Sequence, residues 1–491
     1  MTRGIAIAAL ALLAGALRLP RLEQRPMHAD EAILADKFGT FLATGHYVYA
    51  PLDYHGPMLA YCTLLPAYLS GRTSYARLNE PTLRIVPATA GILLALSPLL
   101  FTSVIGFAAA WLAAAFLTVS PAMVYYSRDY IPEMLLALWA AAWLWTLWKT
   151  LRRPGPGGWA LAGCIAGMML ATKETAVLVL ASSAIAGVVV FRPRRPDWRS
   201  AGAFATTLAL TVSALLAPPW RWGLLGSAAQ SYLHRGVAPG SHAHPWHYYL
   251  GLLTGAAGGP GEASLFILAM AGFVIAFRSD KPVLRFVAWY GILLAGLYSA
   301  LPYKTPWCIV AVLYPFALLA GVAAESLVRL WRAAALVLVA AAMTYTACQA
   351  WLASTRYSSD PRNQWVYAQT GNGVYKIRDR VEACAQAAAQ GRQVQVDIYS
   401  RENLWPLPWY LRGYPNVRWW REVPAQGLPA PILLASPAME PDLIRKLYES
   451  PPPGERVLYM QMFPGYVELR PGVEVRGYVS KQLWDRMEQR P

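Results

Sequence analysis

Two adjacent carboxylates, Asp30 and Glu31, stand in the stretch Arg25-Pro26-Met27-His28-Ala29-Asp30-Glu31-Ala32, just after the first long apolar run. A carboxylate beside hydrocarbon is expensive to keep ionised, so an acid pair in that place marks a functional site by default. The chemistry it offers is general-base catalysis, removal of a proton from a hydroxyl or an amine. The residues Asp30 to Gly45 carry Ile33, Leu34, Phe38, Phe41 and Leu42 at helical spacing, which predicts an amphipathic helix along a membrane interface. The pair would occupy its first turn, where the macrodipole favours negative charge. On these two residues alone, capping and catalysis are both open readings.

Further polar stretches interrupt the apolar chain. In Tyr125-Tyr126-Ser127-Arg128-Asp129-Tyr130-Ile131-Pro132-Glu133, Asp129 and Glu133 are four apart and share a face if a helix begins there, with Pro132 acceptable in its first turn. Either Arg128 contacts a phosphate while Asp129 or Glu133 binds substrate, or Arg128 and Asp129 pair to close a loop. Lys173-Glu174 reads as a self-neutralising pair that would still mark a polar cavity. Lys304 lies between Pro302 and Pro306, beside Tyr303 and Trp307, with no acid nearby in sequence, and reads as a phosphate ligand. A phosphate leaving group needs cations, and Arg128, Lys173 and Lys304 supply them. His234, His242, His244 and His247 lie in a Gly- and Pro-containing loop without zinc-type spacing, so loop gating is expected there rather than a metal.

The elements that must position these residues are membrane spans. The composition is 56% hydrophobic and 14% charged, with 20 Trp and 27 Tyr, the balance of a membrane protein with aromatic interface belts. The net charge of +16 is spread in short clusters between apolar runs, which points to topology and anionic lipid and away from nucleic acid. The five cysteines are scattered and form no disulfide framework. The N-terminal run resembles a signal peptide and is read as a retained first helix. About eleven spans are expected: 4–19, 83–101, 104–119, 133–148, 158–171, 175–191, 201–217, 263–277, 283–300, 306–323 and 333–351.

With the N-terminus inside, the inner segments collect Arg3, the cluster at Lys149, Arg152 and Arg153, that at Arg192, Arg194, Arg195 and Arg199, that at Arg278, Lys281 and Arg285, and Arg329 with Arg332. Apart from the long first loop, 20–82, the outer segments hold only Arg128, Lys173, Arg221, Arg235 and Lys304. This bias predicts a multi-pass protein of the plasma (inner) membrane with a cytoplasmic N-terminus and an extracytoplasmic C-terminal region. It also puts every suggestive polar stretch on the outer side, as one site would require. A sugar donor there is expected to be lipid-linked, because soluble nucleotide sugars lie on the other side. The first loop should hold a second interfacial helix, Met58 to Ser70, introduced by Tyr54-His55-Gly56-Pro57. Residues 1–351 form the expected membrane domain. Residues 352–491 turn polar and alternate helical patterns (374–389, 442–449) with strands (394–399, 432–435), a small outer α/β domain without a phosphate-binding glycine loop.

The first-loop Asp30-Glu31, the Tyr-Tyr-Ser-Arg-Asp-Tyr segment and this layout resemble the GT-C fold glycosyltransferases that use polyprenyl-phosphate sugars, which include protein O-mannosyltransferases and the aminoarabinose transferases of lipid A. His28 to Glu31, Lys173-Glu174-Thr175, Tyr303 to Trp307 and Leu404 to Arg412 are most similar to a prokaryotic branch associated by context with flippases. The resemblance implies a mostly α polytopic bundle of GT-C type and an inverting transfer from a polyprenyl-phosphate sugar donor to a protein, lipid or glycan acceptor. Asp30 would be the base, with Glu31 orienting it or a cation. His28, His55, Tyr126, Arg128, Asp129, Glu133, Lys173, Glu174, Tyr303 and Lys304 would bind substrate. Oligosaccharyltransferases of this fold carry Trp-Trp-Asp in their outer domain. Here Trp419-Trp420-Arg421 lacks the acid, so neither sequon binding nor a resident metal or other cofactor is expected. The rival reading is a non-catalytic, flippase-associated protein that binds the same lipid-linked sugar.

Overall fold

The computed structural model describes residues 2–50, 55–191, 197–216, 218, 221–224, 226–227, 230–231, 240–256, 258–452 and 454–489. Each apolar stretch expected to span is helical: Arg3–Arg18, Glu80–Leu96, Phe107–Val119, Glu133–Arg152, Pro156–Leu170, Ala176–Phe191, Trp198–Leu215, Ala263–Arg278 and Pro282–Ala300. The last two run together as Val310–Ser354, broken only at Arg332, whose φ of 39° is left-handed. Among the described residues, four helical stretches, Glu80–Ile105, Glu133–Arg152, Pro282–Ala300 and Pro306–Ser354, are long and apolar enough to cross a bilayer, and the chain is a multi-pass membrane protein. The first-loop helices form at Ala29–Thr44 and Met58–Leu69.

Contacts along the chain divide it into two compact units. The first comprises 1–24, 44–71 and 79–367 and contains the spans. With no hydrophobic drive between helices in lipid, small residues let the backbones approach. The Ala-rich helix Phe107–Val119 packs on Val310–Ser354 so closely that a Cβ on Gly321 would stand 2.3 Å from the Ala109 carbonyl oxygen. Buried Arg18, at the end of the first helix, donates to the carbonyls of Leu117 and Thr118 (both 2.9 Å) and to Ser127 Oγ (3.2 Å). This ties the first helix to the turn that carries Arg128.

The second unit comprises 25–43, 72–78 and 368–491, so two pieces of the first loop fold with the C-terminal region. Its main sheet has the order β2-β1-β3-β7-β4, built from β1 (Val396–Tyr399), β2 (Val417–Trp420), β3 (Ile432–Ala435), β4 (Tyr459–Gln461) and β7 (Arg476–Ser480). β1 pairs in parallel with β2 and β3, while β7 runs antiparallel to β3 and β4. The short strands β5 (Glu468–Arg470) and β6 (Val473–Glu474) pair separately. β1 and β3 are buried along their whole length, as the centre of a covered sheet requires. Buried Asp397 of β1 is held by both nitrogens of a fork from Arg418 of β2 (each 2.7 Å), which fixes the register of that pair. The helix Gly373–Ala387 buries Val374, Ile377, Val381 and Cys384, one apolar stripe. The first-loop pieces are clasped to 404–412: Met27 N–H donates to Tyr410 Oη (2.9 Å), and Arg412 donates to the Leu78 carbonyl (2.6 Å).

Candidate active site

The acid pair opens the helix Ala29–Thr44 in the second unit, and its two members are used differently. His28 is the N-cap, since its carbonyl accepts the first helical bond from Ala32 N–H. Buried Glu31, three residues on, reaches back so that Oε2 accepts from His28 N–H (2.9 Å). His28 Nδ1 in turn accepts from Asp30 N–H (3.1 Å). This is a capping box in which an imidazole takes the place of the usual serine or threonine. It leaves the Asp30 carboxylate out of the cap, 52% exposed, with the His28 imidazole 3.9 Å away.

The remaining candidates lie in the first unit. Ser120 caps the helix Pro121–Tyr126, whose end delivers Tyr125, Tyr126, Ser127 and Arg128 into a buried turn before Glu133–Arg152 begins. Tyr126 Oη donates to the Trp365 carbonyl (2.9 Å), and its ring meets Trp307 and Trp365 edge-on. Arg128 donates to the carbonyls of Arg18 (3.2 Å) and Arg21 (2.9 Å). Asp129 is buried in the same turn.

Lys173 and Glu174 do not pair with each other. The Lys173 ammonium is bonded to the Glu133 carboxylate, both buried. Glu174 takes His55 Nδ1 (2.8 Å) on one oxygen and Tyr49 Oη (3.1 Å) on the other. Burial and that neighbouring carboxylate raise the Tyr49 phenol, which keeps it a donor. His55 reaches this position because Gly56 lies against Ala171, where a Cβ would stand 2.1 Å from the Ala171 oxygen, and Met58 N–H bonds to that same carbonyl (3.2 Å). Buried Lys304 gives its ammonium to the carbonyls of His244 (3.1 Å) and Leu301, and burial pulls its pKa down. Tyr303 forms a β-bridge with Ala243 and packs its ring on His242, so the 302–304 segment holds 242–244 in place. Burial, then His242 and Lys304, lower the His244 imidazole, which keeps it neutral. His234 lies outside the described residues, as do Arg192, Arg194, Arg195 and Arg235 of the charge pattern.

Two wholly buried charged residues near these turns escape sequence reasoning. Arg18, at the end of an apolar run, is wholly buried. Glu262, at the start of a span, is also wholly buried; its Oε1 accepts from Ser120 Oγ (2.6 Å) and Ala122 N–H (2.9 Å), while Oε2 has no partner among the described residues. Burial raises its carboxyl to about 7. An unpaired acid beside a span was the available signal.

A multi-pass helical bundle followed by a small mixed sheet, with acids and cations in the loops of one set of helix ends, is the architecture of GT-C glycosyltransferases, and the chain has that fold. The family described as dolichyl-phosphate-mannose-protein mannosyltransferase matches residues 54–222. ArnT from Cupriavidus metallidurans bound to undecaprenyl phosphate is similar over 97% of this chain and 98% of its own, at 14% identity and a TM-score of 0.69. The apo form of that protein is similar at 16% identity and 0.66, over 96% of this chain and 97% of its own. The oligosaccharyltransferase AglB from Archaeoglobus fulgidus, in complex with an inhibitory peptide and a dolichol-phosphate, is similar over 89% of this chain and 69% of its own, at 13% identity and 0.61. No curated protein matches by sequence.

Proposed function

We propose that the protein is an inverting membrane glycosyltransferase that moves a sugar from a polyprenyl-phosphate donor to an acceptor on the outer face of the plasma membrane, with Asp30 as the general base. The observation that carries this reading is the division of labour at the start of Ala29–Thr44: Glu31 and His28 do the capping, and Asp30, spared from it, keeps an open carboxylate. The fold shared with structures that hold undecaprenyl phosphate or a dolichol-phosphate supports the donor class.

In the proposed reaction the acceptor oxygen or nitrogen attacks the anomeric carbon as Asp30 takes its proton. The bond from that carbon to the phosphate oxygen breaks, and the lipid phosphate departs with the electron pair. Glu31 and His28 orient the base through the cap. Arg128, Lys173 and Lys304 are the proposed cations for the leaving phosphate. Each already serves a protein acceptor, so that role entails exchanging or sharing a partner. His55, held by Glu174, together with Tyr126, Asp129, Glu133 and Tyr303, completes the proposed binding set. The test is turnover in vesicles: purified protein given a synthetic undecaprenyl-phosphate sugar should release undecaprenyl phosphate only when an acceptor extract is added. Donor binding without release would support the non-catalytic reading instead.

A further inference from the structure

The Trp419-Trp420-Arg421 run plays no part in the chemistry above, yet it lines a cleft of about 700 Å³ within the second unit. β1 and β2 run parallel and both end at this cleft: Ser400 to Trp405 leave β1 there, and Trp419 to Arg421 close β2. Crevices outside the carboxyl ends of parallel strands are the usual ligand sites of such sheets.

The lining has two characters. Trp405, Trp419 and Trp420 bring three indoles to the lining, of which Trp419 is 44% exposed, while Trp420 packs partly on the core beneath the Arg418 guanidinium. Around them stand two guanidinia, Arg401 and Arg421, and two carboxylates, Asp36 and Glu402. Neither Arg401 nor Arg421 has a hydrogen-bond or ion-pair partner among the described residues. The wall is braced: Ser400 Oγ accepts from Glu402 N–H (3.0 Å), Asn403 Oδ1 accepts from Trp405 N–H (2.9 Å), and Arg470 donates to the carbonyls of Trp405 (2.7 Å) and Asn403 (2.5 Å). Such bracing lowers the ordering cost of binding.

We propose that this cleft binds a saccharide and that the acceptor of the transfer is accordingly a glycan. A sugar ring presents a C–H face that covers an indole and a rim of hydroxyls that both donate and accept, which needs guanidinium and carboxylate side by side. Phosphate would be opposed by Asp36 and Glu402, and a purely apolar chain would strand four charged groups. A peptide adding as a strand would use the free edge of β2, whereas the cleft lies at the strand ends. Asp36 sits six residues after Asp30 on the same helix, about 9 Å along its axis, so a saccharide here is on the proposed base's own element. The acceptor role rests on the transferase reading; the binding does not.

The test is saturation-transfer NMR on the full-length protein in nanodiscs, with maltotriose, cellotriose, mannotriose and chitotriose as probes. At least one should bind, and Trp419→Ala and the double variant Arg401→Gln/Arg421→Gln should each weaken it at least tenfold, while Asp30→Asn leaves it unchanged. In turnover assays Trp419→Ala should raise the acceptor KM without lowering kcat. If no trisaccharide binds, if binding ignores both sets of variants, or if only a strand-forming peptide binds, the proposal is wrong. Saccharide binding in a protein that never turns over would instead count against the transferase reading alone.

Discussion

Asp30 and Glu31 are neighbours with opposite fates, because a helix N-terminus has only a few donors to satisfy and one acid at the third position can reach back to them. Burial then divides the other acids. Glu133 is held as a buried ion pair with Lys173, so Lys173→Ala should cost about 3–5 kcal/mol by stranding a buried carboxylate. The double variant Lys173→Met/Glu133→Leu should recover most of that loss in thermal melts. Glu262 has no cationic partner among the described residues, and burial raises its carboxyl from the ordinary 4.5 to about 7 in the folded state. The folded state therefore holds a proton that the unfolded chain releases between those values, so its contribution to stability falls as pH rises through that window, by up to roughly 3 kcal/mol. Glu262→Gln keeps an acceptor for Ser120 and Ala122 and removes the titration. Its Tm relative to the parent should therefore be higher at pH 8 than at pH 4.5; an equal difference at both would contradict the assignment.

At the scale of elements, close backbone approach decides where side chains arrive. Gly56→Ala would push 55–57 off the Ala171 carbonyl, break the His55–Glu174 contact and cost about 1–3 kcal/mol, measurable as a lower Tm. The spans were legible because each is a long apolar run bounded by polar turns, and both first-loop helices, as well as β1 and β3, could be read from periodicity or continuous apolar stretches. β2 was not: Val-Arg-Trp-Trp is short and half exposed, and its place depends on the Arg418–Asp397 fork, which no local pattern announces. Lys173 was assigned to the wrong neighbour for the same reason. Its partner is forty residues away in sequence, and sequence proximity favoured Glu174. The capping geometry that separates Asp30 from Glu31 was equally invisible, since an N-cap histidine is not a residue type that signals one.

For the whole molecule, the charge pattern makes a claim about sidedness that the helices alone do not. A cysteine introduced at exposed Leu428, in a background lacking the five native cysteines, should react with a membrane-impermeant maleimide added outside intact cells. Labelling only after lysis would reverse the topology and remove the outer face as the place of reaction. The grouping of 25–43 with 368–491 also means that the proposed base and the saccharide cleft belong to one unit, and the spans to another.

The central claim is that Asp30 removes a proton during transfer, and the most direct measurement compares Asp30→Asn with the parent in turnover of an undecaprenyl-phosphate sugar, with undecaprenyl phosphate binding measured on the same samples. The account predicts a loss of at least 100-fold in kcat with lipid-phosphate affinity and Tm unchanged. Turnover within a few-fold of the parent, at equal binding, would contradict it.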